Sequence, residues 1–247
     1  MTSSVAAVDA SGELRDKIII ALDVETAEEA REIVNELRGQ AGGFKVGLQL
    51  FTVGGPSLVR EFVETGTRVF LDLKFHDIPN TVAKASIEAA RLGVWMFNIH
   101  AAGGTEMMLA TANAVAETCE RESIEKPIII GVTVLTSTDD MAIRAVGIES
   151  GVDGQIVRLA KLASECGLDG VVASPREVGL VRNAVKAPEF LVVTPGIRSS
   201  GATVDDQKRV TTLGRAMANG SDYVVIGRPV TRSTDRLAAL EAILAGN

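Results

Sequence analysis

The sequence predicts a single α/β domain, an eight-stranded (β/α)8 or TIM barrel. Three observations carry that prediction. Short apolar runs alternate with stretches of helical spacing eight times, at intervals of roughly 25 to 30 residues, as parallel βα units require. The chain has 247 residues, of which 46% are hydrophobic, enough for one barrel of this kind and its core. A doubly wound open sheet, the alternative, usually carries a glycine fingerprint after its first strand, and Leu22-Asp23-Val24-Glu25 has none.

In order, residues 1–16 are expected as a disordered lead-in and residues 17–247 as the barrel domain. The lead-in carries Asp9, Glu13 and Asp16, and its only apolar run is Val5-Ala6-Ala7-Val8, so it does not read as a signal peptide. Residues 17–23 form the first strand, a buried apolar run ending in an acid. Residues 25–39 follow with helical spacing at Ala27, Ala30, Ile33, Val34 and Leu37. The second pair is 44–48 and 56–64, the third 68–75 and 81–92, the fourth 94–100 and 105–122. Strand five, 127–135, precedes a longer helical region reaching Cys166. Strand six, 170–173, is followed by a helix over 175–185. Strand seven, 190–194, leads to a helix from about 206 to 219, with Gly220 as its stop signal. Strand eight, 223–227, and a helix over 232–245 close the chain.

Composition removes several functions. A net charge of −7 argues against a nucleic-acid surface, although a local cluster of Lys and Arg can still hold a small anion. No apolar run nears the roughly 20 residues needed to cross a bilayer, so no membrane partner is expected. His76 and His100 are the two histidines, and no Ser or Cys has a nucleophile's setting, which disfavours hydrolase triads and zinc. Cys119 and Cys166 lack ligand or redox spacing and are expected as buried thiols in a reducing cytoplasm.

In this fold the active site lies at the C-terminal ends of the strands, and the unusual polar residues collect there. Asp23 ends strand one, and Lys45 lies on strand two. Strand three holds Asp72 and Lys74, with Asp77 just beyond. Asn98 and His100 end strand four, and Thr136 and Ser137 follow strand five. Alternation puts Phe70, Asp72 and Lys74 on one face of an otherwise apolar strand and Leu71, Leu73 and Phe75 on the other. Charges are costly to bury unless paired, so this is either a structural ion pair at a strand end or part of a site. Pro195-Gly196-Ile197-Arg198 and Ile226-Gly227-Arg228-Pro229 stand after strands seven and eight, where such barrels usually bind phosphate. In each, a glycine lets the backbone approach and an arginine follows to pair with the dianion. Residues 199–205, small and polar, read as a lid or as an ordinary surface loop.

The stretch Asp72-Leu73-Lys74-Phe75-His76-Asp77-Ile78-Pro79-Asn80-Thr81 closely resembles the signature of the orotidine 5′-monophosphate decarboxylase family. Ala21-Leu22-Asp23, Phe44-Lys45-Val46-Gly47, Val132-Thr133-Val134-Leu135-Thr136-Ser137 and Thr194-Pro195-Gly196-Ile197-Arg198 are similar to its bacterial form. So are Asp206-Gln207-Lys208-Arg209 and the run from Asp222 to Pro229. The likeness extends from about Ile18 to Pro229 in the family's order.

That resemblance implies a lyase that converts orotidine 5′-monophosphate to UMP without metal or cofactor. Asp72 would face the departing carboxylate, and Lys74 would protonate C6 of the pyrimidine. Lys45 and Asp77 would complete an alternating charge array, Asp77 being contributed by the partner subunit of a homodimer. Asp23 and Lys45, with Thr81 from the partner subunit, would hold ribose hydroxyls; Ile78 and Thr136 would also contact substrate. Arg198, Gln207, Gly227 and Arg228 would grip the phosphate. His76 and His100 would be structural hydrogen-bonders. Two rivals are a magnesium-dependent keto-sugar-phosphate decarboxylase of the same superfamily and a catalytically silent nucleotide-binding barrel.

Overall fold

Most strands of this chain are short, apolar and almost wholly buried, as a sheet covered on both faces must be, and β3 departs from this over its half-buried last four residues. The computed structural model describes residues 10–196 and 211–246. Its strands are β1 (Ile18–Ala21), β2 (Gly43–Gly47), β3 (Val69–Phe75), β4 (Met96–His100), β5 (Ile128–Val132), β6 (Gly170–Val172), β7 (Leu191–Pro195) and β8 (Tyr223–Ile226). They pair in parallel in sequence order, and β8 returns to β1 in the register Ile18–Val224, Ile19–Val225, Ile20–Ile226, closing the barrel.

Side-chain alternation builds two apolar layers from these strands. Ile19, Ala21, Phe70, Met96, Ile130, Val193 and Val225 meet inside the barrel. Their neighbours Ile18, Ile20, Phe44, Val46, Leu71, Phe97 and Val224 belong to the larger core between barrel and helices. Each large side chain buried this way contributes about 1.5–3 kcal/mol.

The outer layer comprises α1 (Ala10–Asp16), α2 (Ala27–Leu37), α3 (Leu48–Glu64), α4 (Pro79–Arg91), α5 (Gly104–Glu122), α6 (Asp140–Ala145), α7 (Gly151–Glu165), α8 (Val178–Ala184), α9 (Leu213–Ala218), α10 (Arg228–Thr231) and α11 (Arg236–Ala245). Local chemistry sets their ends. Thr26 caps α2 by accepting from the Glu29 N–H, and α2 buries Ala30, Ile33, Val34 and Leu37 as its spacing requires. Bidentate pairs join α2 to α3 (Arg31–Glu61, 2.8 and 2.9 Å) and α4 to α5 (Arg91–Glu122, 3.0 and 2.6 Å). Hydrogen bonds from Arg91 and Arg121 push Glu122 down to about 2.

Several expected boundaries are corrected. Residues 10–16, expected as lead-in, form α1, because Leu14 packs on the core and Arg15 reaches Gln40 and Glu241. Leu48, expected in strand two, starts α3; Gly55 (φ 62, ψ −171) breaks that helix, and Pro56 restarts it. α4 begins at Pro79 rather than Thr81, since Pro suits a first helical turn. Strand five ends at Val132 rather than Leu135, and the region after it splits into α6 and α7 with Gly147 (φ 85) between them. Of the helix expected from about 206 to 219, residues 206–210 lie outside the described residues; α9 begins at Leu213, with Thr212 extended as its cap. Gly220 (φ 101) follows that helix in the left-handed conformation expected of a stop.

Candidate active site

Three adjacent strands deliver polar side chains into the mouth of the barrel. Lys45 on β2 flanks the inner apolar layer, and its ammonium lies 2.9 Å from Asp23 Oδ1 and 3.2 Å from Asp72 Oδ2. Asp72 on β3 turns its other oxygen, Oδ1, to the Lys74 ammonium at 2.6 Å. Asn98 on β4 donates from Nδ2 to the same oxygen at 2.7 Å. The result is a chain of alternating charge, Asp23–Lys45–Asp72–Lys74, assembled from residues up to 51 positions apart by the parallel register of β1, β2 and β3 together with the turn after β1 and the end of β3. Gly47 leaves room for it, since a Cβ there would stand 3.2 Å from the Lys45 ammonium.

Lys74 holds its place by an irregular backbone. Its φ is +52, in the left-handed region that side chains beyond Cβ rarely occupy, at a cost of about 1–3 kcal/mol. Here the simple alternation expected for strand three fails, and β3 bulges between Leu71 and Phe75. The Lys74 N–H, diverted from a regular ladder, donates to Asn98 Oδ1 at 2.7 Å.

The electrostatics follow from this packing. Burial favours the neutral acid at Asp72, but Lys45 and Lys74 overcome it, aided by hydrogen bonds from Lys74 and Asn98. Asp72 is thereby held below the usual carboxylate range. Burial likewise opposes the Lys45 ammonium, yet the Asp72 and Asp23 carboxylates hold it above the ordinary lysine value. Lys45 and Asp72 side chains are only 11% and 13% exposed, so these are strong, poorly screened interactions.

The array forms one wall of a cavity of about 540 Å³, a volume suited to a nucleotide-sized ligand. Phe70, Val132, Val172, Val193 and Val225 give it an apolar floor beneath the charges. Thr136, Gly196, Gly227 and Arg228 line it as well. Five expected site residues therefore share the cavity with Asp72 and Lys74: Asp23, Lys45, Thr136, Gly227 and Arg228; Gly196, from the expected phosphate loop, lines it too.

Other expected residues stand elsewhere. Asp77, Ile78 and Thr81 are exposed and do not line the cavity; Asp77 Oδ1 accepts from the Ile78 N–H at 2.6 Å. Ile78 is extended (φ −59, ψ 150), as a residue before proline must be, and carries this segment outward. Arg198, Gln207 and the segment 199–205 lie outside the described residues. His76 and His100 face each other with ring centroids 5.2 Å apart, and burial, then His76 and Lys74, lowers the His100 pKa. Sequence reasoning placed Asn98 among the polar residues at the active-site end, and Gly47 in a family motif, without assigning either a specific role. The available signal was an amide in the middle of the apolar strand Met-Phe-Asn-Ile-His, where a polar side chain needs a partner.

Comparison with known proteins identifies the family. The model of the orotidine 5′-phosphate decarboxylase / HUMPS family matches residues 16–243. An orotidine 5′-phosphate decarboxylase of Syntrophotalea carbinolica is 53% identical over 232 residues, covering 94% of this chain and 95% of that one. That of Moorella thermoacetica is also 53% identical over 232 residues, covering 94% and 92%. The crystal structure of orotidine 5′-phosphate decarboxylase from Lactobacillus acidophilus superposes with a TM-score of 0.80 at 34% identity, covering 93% of this chain and 97% of that one. The chain thus belongs to the orotidine 5′-phosphate decarboxylase / HUMPS family.

Proposed function

We propose that this chain decarboxylates orotidine 5′-monophosphate to UMP and CO₂, the closing step of pyrimidine nucleotide synthesis, and that the Asp23–Lys45–Asp72–Lys74 array is its machinery. The observation that carries the reading is the ammonium of Lys74, held 2.6 Å from Asp72 at the edge of an apolar-floored cavity. When CO₂ leaves, an electron pair remains on C6 of the pyrimidine with no ring acceptor to take it up. A fixed ammonium at that point stabilises the developing charge, and it does so most strongly where water is excluded. Lys74 then transfers a proton to C6 and recovers one from solvent. Asp72 faces the substrate carboxylate, a like-charge contact that disappears with CO₂; the larger effect is the stabilisation by Lys74.

Asp23 and Lys45 take the ribose hydroxyls, Thr136 lies beside the pyrimidine, and Gly227 and Arg228, with Arg198 and Gln207, hold the phosphate. Binding energy from that remote phosphate helps to stabilise the transition state. Asp77, Ile78 and Thr81 serve the site of a partner subunit in a homodimer. Their exposure supports this, most of all that of Ile78, an apolar side chain 66% exposed. A reducing cytoplasm suits the buried free thiols Cys119 and Cys166.

The magnesium-dependent rival needs carboxylates available to a cation. Both Asp72 oxygens are already engaged, Oδ1 by Lys74 and Asn98 and Oδ2 by Lys45. The test is direct. The protein, exhaustively treated with chelator, is mixed with orotidine 5′-monophosphate, and the ring absorbance of the orotate group is followed. It should fall as UMP forms, and Lys74→Ala should slow it at least about 1,000-fold, roughly 4 kcal/mol of barrier. Absorbance that does not change, or that changes only with added magnesium, sinks the proposal.

A further inference from the structure

The bulge in β3 needs a partner that a strand cannot supply. Leu71 pairs with Phe97 and Phe75 with Ile99, so four steps along β3 match two along β4. The residues between would lose their ladder bonds, yet Lys74, at φ +52, keeps its N–H satisfied. The acceptor is a side chain, Asn98 Oδ1, on a residue only 1% exposed. The other end of that amide donates to Asp72 Oδ1. Neither end is free to be reversed, because a backbone N–H can only donate and a carboxylate flanked by ammonium groups can only accept.

We propose that Asn98 is a positioning residue of this site: its one amide fixes both the Asp72 carboxylate and the left-handed backbone at Lys74, and so sets where the Lys74 ammonium stands. This rests on the reading of Lys74 as proton donor. A small displacement of that ammonium matters, since catalysis by a fixed charge and by proton transfer depends on sub-ångström placement. Asn98 itself touches no reacting atom under this reading. It acts through two residues that do.

Asn98→Asp separates positioning from packing, because its size is unchanged. Protonated, the introduced carboxyl still donates to Asp72 and accepts from the Lys74 N–H. Ionised, it sets a second carboxylate within hydrogen-bond range of Asp72, and two such groups resist ionising together. The charged and titratable groups facing the pair are Lys45 from β2, Lys74 from β3, and His100 at the end of β4 with His76 against it. From β5 the residue in register with Asn98 is Ile130, which carries no charge. Because these groups also face the pair in the unmodified protein, the informative quantity is the ratio of variant to wild-type kcat at each pH.

That ratio should lie within about tenfold of unity near pH 6 and fall at least a further 30-fold or so by about pH 9, while KM and the Kd for UMP stay within about threefold. Asn98→Ala should be slow at every pH and still bind UMP, which also reports a folded barrel. A kcat within about threefold of wild type for both variants at all pH values overturns the proposal. So does a pH-independent loss in Asn98→Asp, or a loss of UMP binding in step with kcat. Lys74→Ala, run in parallel, separates the two claims. If it retains turnover, the proton-donor reading has failed; if it is inactive while the Asn98 variants are normal, only the role of Asn98 has.

Discussion

Asp72 and Lys45 are buried charges that survive only as partners, and their titration gives the site a pH range. Asp72 is held below the unfolded aspartate value, about 3.9. Its contribution to stability is therefore complete above about pH 4 and is lost as pH falls through the lower, folded value. Lys45 is held above the unfolded lysine value, about 10.4. Its contribution is complete below about pH 10 and is lost as pH rises through the folded value. Urea midpoints measured against pH should accordingly show a plateau between those limits, with Asp72→Asn flattening the acid limb. An acid limb identical to wild type would mean that Asp72 is not held as a charged partner. Of these residues, Asp23, Lys45, Asp72 and Lys74 are legible in the sequence because each is an acid or base on, or just beyond, an apolar strand. Asn98 is legible as a polar residue at the same end, but its function is not, because that comes from a bulge, and no residue pattern announces that β3 will leave its register between Leu71 and Phe75.

At the scale of elements, strands and most helices follow directly from hydrophobic period, while their junctions do not. α2 is readable because Ala30, Ile33, Val34 and Leu37 sit on one face and Thr26 caps it. α3 is half hidden. Residues 48–54 carry no strong cap, and the helix is bent by Gly55 into a conformation open only to glycine. A Cβ at Gly55 would meet nothing within 4 Å, so Gly55→Ala isolates the backbone cost. Thermal or urea unfolding should show a loss of about 1–3 kcal/mol, with UMP binding intact. An unchanged midpoint would show that the kink is not constrained as described. The starts of α6 and α9 were obscured because capping by Asp139 and Thr212 is local chemistry that hydrophobic period does not register, and α6 parts from α7 at Gly147, in a left-handed turn.

At the scale of the molecule, the barrel gathers four charges from two strands, β2 and β3, and the turn after β1, and it leaves Asp77, Ile78 and Thr81 on its surface. The proposed homodimer gives those residues their use, each site drawing Asp77 from the partner subunit. The central claim is that Lys74 of one chain and Asp77 of the other work in one decarboxylating site. It is tested most directly by the rate of orotidine 5′-monophosphate turnover in mixtures of Lys74→Ala and Asp77→Ala homodimers, each nearly inactive alone. After random subunit exchange half the dimers are mixed, and in each of these one site carries both defects while the other carries neither. Activity should rise from near zero towards about a quarter of the wild-type value. Parents that retain substantial turnover, or verified exchange without recovery, would contradict it.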